Sequence, residues 1–419
     1  MRVISSFIYG SLLVSLAAGC VTDPADPNDP GGGGSGGFHA IKMPAGKENL
    51  NFSGVYCASA TQCVATANLS GIGGVYALGD TDLGELLVDG TYPGPVPTAA
   101  DQLGDVNFVG IDKSRSGVIA RAGTSGAFVS ATGDITKKAS WSVASMGKAD
   151  GASLPLNDQA QLVDTAGKWL FLNELGFVYS SPTAPGPSTV WTKLWSPQAT
   201  PSVPANFPSM YSADPTLCDS DLTGGAVPFI SNPAFISPDG AVIVHPAGGI
   251  SQKGTAKPGV CISTDKGAHF YSAPFADVAD VDNAGPHGVT CTDNNHCVAL
   301  HGLDFVGDPY IYTTANATMG KASTWTKATL PASVTGASNV SLRAVFFAPD
   351  GKHGWCVGDI SHDPLLLKTV DGGKTWTDSS ASVASVATRE LNNGFALDAD
   401  HIWLVGNKGT VVATATAQK

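Results

Sequence analysis

Charge is scarce in this chain. Only 14% of its 419 residues are Asp, Glu, Lys or Arg. Arginine occurs at Arg2, Arg115, Arg121, Arg343 and Arg389, and glutamate at Glu48, Glu85, Glu174 and Glu390, with no others. Chemistry that grips an anion with several guanidiniums, or that pairs glutamates as acid and base, has few residues to draw on. The formal net charge of -12 argues against nucleic acid as a partner and against attraction to anionic lipid. Beyond the first twenty residues no apolar run is long enough to span a bilayer, and no helical periodicity persists for a dozen residues. The Gly-x-Ser-x-Gly elbow, the phosphate-binding loop and the His-Glu-x-x-His pair are all missing, so no cofactor and no metal motif is expected.

What is present is turn chemistry and short apolar alternation, with 50 Gly and 27 Pro. An all-β fold follows. The cleanest unit lies at 342–376. Leu342, Ala344 and Phe346 alternate toward a Pro349-Asp-Gly351 turn, Trp355 to Gly358 returns, and Leu365 to Thr369 gives a third strand. A turn at Asp371 and Gly373 then leads into Trp376 and a fourth strand. The carboxylate can accept backbone N–H groups inside such a turn, and the glycine supplies positive φ.

Variants of this unit recur about every 40 to 50 residues, a period that selects a β-propeller over a sandwich or barrel. Seven units are counted, with six or eight also compatible. They begin near Phe52, Val106, Gln161, Ala234, Gly288, Leu342 and Asn393, and the last stops after three strands. An incomplete blade leaves an open edge, so the amino-terminal stretch Phe38 to Met43 is expected to close the ring.

The octet Thr369-Val-Asp371-Gly-Gly373-Lys-Thr-Trp376 resembles the Asp-box of bacterial neuraminidase repeats. A second copy stands at Ser263-Thr-Asp265-Lys-Gly267-Ala-His-Phe270. Together with Val345-Phe-Phe and Gly354-Trp-Cys-Val-Gly-Asp359, it resembles propellers of the photosystem II stability and assembly factor type. The box implies architecture and a structural role for its residues far more than chemistry. The resemblance to assembly factors implies a scaffold that binds a protein, peptide or glycan without turning it over. Sialidases carry the same box and give the alternative, an extracellular glycoside hydrolase. That family needs an arginine triad and a Tyr with a Glu partner, and the four arginines left beyond Arg2 carry no Arg-Ile-Pro-like motif.

The ends point to export. Arg2, the apolar stretch Val3 to Leu16 and Ala17-Ala-Gly-Cys20 resemble a bacterial lipoprotein signal peptide, residues 1–20, with Cys20 as the lipidated first residue of the mature chain. An ordinary secretory signal is the rival. Val21 rather than Asp follows the cysteine, which favours the outer membrane over retention at the inner one. Residues 21–37, Asp/Pro-rich and then Gly-rich, form a flexible linker reaching about 20 to 30 Å, and 38–419 form the propeller, expected to be monomeric. Cys57 with Cys63 and Cys291 with Cys297 share one spacing across a first hairpin, which suits disulfides in an exported protein; Cys218 with Cys261 is a third expected pair, and Cys356 a buried thiol.

Irregular sequence gathers in the connections opposite the Asp371 turn, chiefly 198–233. On that face His245, His301, Asp304, Asp308, Asp359, His362 and Asp363 are the candidate binding residues.

Overall fold

A computed structural model describes residues 37–414, apart from 70–71, 80, 89–107, 115–116, 123–126, 146, 150–151, 154–160, 166, 173–177, 187, 196–233, 248–258, 276–287 and 303–308. The expected signal segment with Cys20, nearly all of the linker, Cys218, the connection 198–233, and Asp304 and Asp308 lie outside the described residues.

Seven antiparallel sheets follow one another along the chain, at 51–88, 108–145, 161–195, 235–274, 288–327, 340–378 and 391–414. In the first six, four strands pair in chain order, each with the next. First strands of neighbouring blades touch at six of the seven junctions and blades three and four share a core, so the structure is a seven-bladed β-propeller. Blade three is wider than the repeat predicts. Lys148–Ala149 adds in parallel to Val190–Trp195, and Ala152–Ser153 adds beyond it.

Blade seven has Leu391–Ala396, Ile402–Gly406 and Val411–Thr414 from the carboxyl end and takes its outer strand, Phe38–Ala40, from the amino end. Phe38 pairs with Thr414, His39 with Ala413 and Ala40 with Val412. Beyond this strand the Ile41 N–H donates to the Val411 carbonyl at 2.9 Å, and the Lys42 N–H reaches Thr81 of blade one at 2.9 Å. Ile41 is buried with Phe52, Tyr76, Trp403 and Val411, in the core shared by blades seven and one. The edge that three strands alone would leave is covered.

The core is a series of layers between blades, because each sheet is covered by a neighbour on both faces. Second strands such as Cys297–His301 and Ile402–Gly406 are therefore buried at every position and read as continuous apolar runs. The aromatic residues at or next to the start of the fourth strands, Trp141, Trp191, Phe270, Trp325 and Trp376, are all buried.

Cysteines 57 and 63 are bridged, as are 291 and 297, each pair with Cα atoms 4.0 Å apart across the first hairpin of blades one and five. Cys261 is disulfide-bonded, and Cys218, its expected partner, lies outside the described residues. Cys356 is a buried free thiol whose pKa burial pushes far up. Among the described residues no helix is long and apolar enough to cross a membrane.

The turns that end the third strands are built from a hydroxyl and a carboxylate two residues apart. Thr369 Oγ1 donates to Asp371 at 2.8 Å and accepts the Gly373 N–H at 3.1 Å, while Asp371 also accepts from Lys374 and Thr375 amides at 2.9 and 3.0 Å. Trp376 closes the turn by donating its indole N–H to the Gly373 carbonyl at 2.9 Å. Ser263, Asp265 and Gly267 repeat the pattern in blade four. Blade five has it as well, in a form the sequence hid. Thr314 donates to Asn316, whose side-chain oxygen accepts the Thr324 N–H at 2.9 Å across an inserted 3-10 turn, Ala317–Ala322.

A second carboxylate turn recurs between first and second strands. Asp293, Asp350 and Asp398 each accept two backbone amides and pair with the imidazole three residues on, at His296, His353 and His401. Desolvation raises the carboxyls of Asp265, Asp293, Asp350, Asp371 and Asp398, but their hydrogen bonds outweigh it and hold all five below the usual carboxylate value. A lowered folded-state pKa contributes stability above the unfolded value of about 3.9, and that stability is lost as pH falls through the folded value. Melting temperature is therefore expected to be flat above about pH 5 and to fall steeply below about pH 4. Asp371→Asn should be roughly 1 kcal/mol less stable than the parent at neutral pH, melting lower, and converge on it in acid. A constant gap across the acid range would contradict this.

Candidate binding site

Four of the first strands carry a β-bulge near their starts. The register slips between Phe52 and Gly54 in blade one, Phe108 and Gly110 in blade two, Leu342 and Ala344 in blade six, and Leu391 and Asn393 in blade seven. A bulge lets two residues oppose one, and it re-aims the extra side chain. The bulge brings backbone unusually close to the second strand. A Cβ at Gly358 would stand 1.8 Å from the Ser341 carbonyl oxygen, and one at Gly406 2.0 Å from that of Glu390. Only glycine fits, which gives Val357-Gly358-Asp359 and Val405-Gly406-Asn407 their shared form.

The residue after each of these glycines meets the bulge. Asp359, fully buried, accepts from Arg343 Nε at 3.1 Å. Asn407 accepts from Asn392 Nδ2 at 2.8 Å. In blade one the Ser53 hydroxyl lies 3.4 Å from that of Thr66.

These pairs join into one network across blades six, seven and one. The second oxygen of Asp359 accepts the His362 N–H at 3.0 Å. The His362 ring meets Glu390 at 2.7 Å, and Glu390 accepts from Asn407 at 3.3 Å. Asn392 also donates to the Phe52 carbonyl at 2.9 Å, and Asn393 to that of Ser53 at 3.0 Å. Desolvation raises the Glu390 carboxyl, but its own amide, His362 and Asn407 outweigh it and leave it below its ordinary value.

One part of the network is held at a conformational cost. Ser361 and His362 form the two-residue connection from second to third strand with φ of 52° and 75°. Such hairpin turns favour Asn and Gly, and a side chain with a Cβ costs roughly 1–2 kcal/mol there. Strain of this kind gathers at working sites, and here it lets both the amide and the ring of His362 reach carboxylates.

The arrangement corrects several expectations. His245 is not a loop residue. It sits in the strand Ile243–Ala247, paired with Cys261 and against Phe270, fully buried, and desolvation lowers its pKa to about 4, so it is neutral. His301 ends the strand Cys297–His301 and is buried against Tyr310. Asp359 is a buried ion-pair partner rather than an open ligand, because the strand Gly354–Ile360 runs beyond it. His362 and Asp363 are exposed on the expected face. Arg343, Glu390, Asn392 and Asn407 are site residues that the alternation of their strands does not single out. The bulge was the signal. A polar residue after Leu342 and Leu391, ahead of Val-Gly-Asp and Val-Gly-Asn, marks it. Among the described residues no three His, Cys, Asp or Glu side chains converge to hold an ion.

The molecule is thus a seven-bladed β-propeller with a polar network beside the bulged first strands of blades six, seven and one. No family model matches the chain, and no curated protein matches it. Solved structures do. YCF48 bound to D1 peptide aligns with a TM-score of 0.53 and 12% identity over 90% of this chain and 97% of that one. YCF48 from Cyanidioschyzon merolae aligns at 0.54 and 11%, over 90% and 98%. The GH74 xyloglucanase from Xanthomonas campestris aligns at 0.54 and 15%, over 91% of this chain and 54% of that one. At such identities the likeness is one of fold.

Proposed function

We propose that this chain is a lipid-anchored β-propeller of the bacterial envelope that binds an extended protein or peptide segment without turnover, through the face bearing Arg343, His362 and Glu390. The observation that carries it is the use made of Arg343. Its Nε is fixed by a fully buried carboxylate while the side chain stays 26% exposed. A guanidinium anchored on one edge keeps its terminal N–H groups for a partner's carboxylate, with its geometry already set. A propeller of the same fold has been solved with a peptide bound, which agrees with this reading.

Hydrolysis of glycosides needs two free carboxyl groups facing each other. At this site Asp359 and Glu390 have both oxygens engaged by Arg343, His362 and Asn407. The anchoring part of this reading is supported by the small-residue run ending in Cys20, and Val21 after it favours the outer membrane.

Arg343→Lys retains a cation for Asp359 but loses the forked donors. Co-purification from intact cells is expected to lose at least ten-fold of the bound partner with Arg343→Lys, at an unchanged melting temperature. Cys20→Ala should move the protein out of the membrane fraction. Partner recovery equal to the parent's would overturn the site, and unchanged membrane association would overturn the anchor.

A further inference from the structure

The opposite face of the propeller carries a cleft of about 800 Å³ between blades five and six, within the range of small-molecule sites. Its walls are the carboxylate turns described above. The lining has no Phe, Tyr or Trp and, beyond Ala315, no apolar side chain; it consists of Thr, Lys, Asp and Gly with His296.

The charges there are unequal in availability. Asp293, Asp350 and Asp371 are already used. Asp293 accepts from the Asn295 and His296 amides and pairs with the His296 ring, and Asp350 does the same with Lys352 and His353. Asp371 accepts four hydrogen bonds, from Thr369, Lys374 and the amide and hydroxyl of Thr375. A carboxylate offers about four acceptor positions, so little is left for a ligand. Lys327, Lys352 and Lys374 are different, since among the described residues none of them is in an ion pair.

The floor adds hydroxyls. Thr313 and Thr326 are cross-strand partners, and Thr329 bridges to the backbone beside Lys374. An incoming molecule therefore meets ammonium donors and threonine hydroxyls, with the acceptors largely spent. Formal charges cancel across the lining, and the whole chain is acidic, which disfavours a long polyanion. A peptide of ordinary composition would set apolar side chains against walls that offer them nothing. We propose that this cleft binds a short acidic oligosaccharide, its carboxylates on Lys327, Lys352 and Lys374 and its hydroxyls on the threonines.

Titration calorimetry of the full-length protein with trigalacturonate and with neutral cellotriose tests this. Trigalacturonate is expected to bind at least ten-fold more tightly than cellotriose. Lys352→Gln with Lys374→Gln should weaken it at least ten-fold at unchanged melting temperature, and Arg343→Lys, on the other face, should leave it unaltered. Absence of heat with trigalacturonate, equal affinity for the neutral trisaccharide, or indifference to the lysine changes would overturn the proposal, each without bearing on the Arg343 face.

Discussion

Removal of residues 38–43 is expected to abolish a stable closed propeller. The strand Phe38–Ala40 and the Ile41 and Lys42 amides satisfy the outer edge of blade seven and tie it to blade one. Their loss removes several backbone hydrogen bonds, each contributing about 0.5–1.5 kcal/mol net, and the burial of Ile41, about 2 kcal/mol. A total near 5 kcal/mol is comparable with the whole stability of many domains. The strand Val411–Thr414 would then present an open edge ready to pair with another chain. Urea unfolding and size-exclusion chromatography of the truncated protein should show a lost or strongly shifted transition and association into larger species. A cooperative transition at the parent's midpoint would mean that the ring closes without this strand.

The second large effect concerns Asp359. Asp359→Ala takes the carboxylate away from Arg343 and the acceptor away from the His362 amide, in a site with no exposure to water at Asp359. Breaking one half of a buried pair costs about 3–5 kcal/mol, and the partial exposure of Arg343 puts this case near the lower end. Replacing both partners, Arg343→Met with Asp359→Leu, should recover most of that loss, because an apolar pair leaves no stranded charge. Urea midpoints of the three proteins are expected to rank parent and double variant close together, with Asp359→Ala well below. The double variant, folded but without its guanidinium, should not retain partner. A single variant within 1 kcal/mol of the parent would remove the ion pair from the account.

The repeat itself was legible in the sequence because its signals are local. Pro349-Asp-Gly351, Thr369 to Gly373 and the buried Trp376 each report the strand ends on either side of them. The missing fourth strand of the last blade was legible too, since counting strands exposes an unpaired edge. The polar site was harder. A bulge shifts register by one residue, so Arg343 and Asn392 fall outside the alternation that marks the rest of their strands. Gly358 and Gly406 read as ordinary strand glycines until the approach of Ser341 and Glu390 is seen. His245 and His301 misled for a related reason. Polarity near a strand end suggests a loop, yet a second strand covered on both faces buries an imidazole against Phe270 or Tyr310. The turn at Thr314 was hidden because Asn316 replaces the aspartate and six residues of 3-10 helix separate it from Trp325.

The binding face is tested most directly by placing a photo-cross-linking residue at Asp363, which is exposed beside the His362 turn, in cells making the full-length protein. A matched probe at the exposed Lys352 on the opposite face serves as the comparison. The account predicts a discrete adduct with one protein from position 363, lost when Arg343→Lys is added, and no Arg343-dependent adduct from position 352. An adduct at 363 that persists in Arg343→Lys, or partner capture from 352 alone, would contradict it.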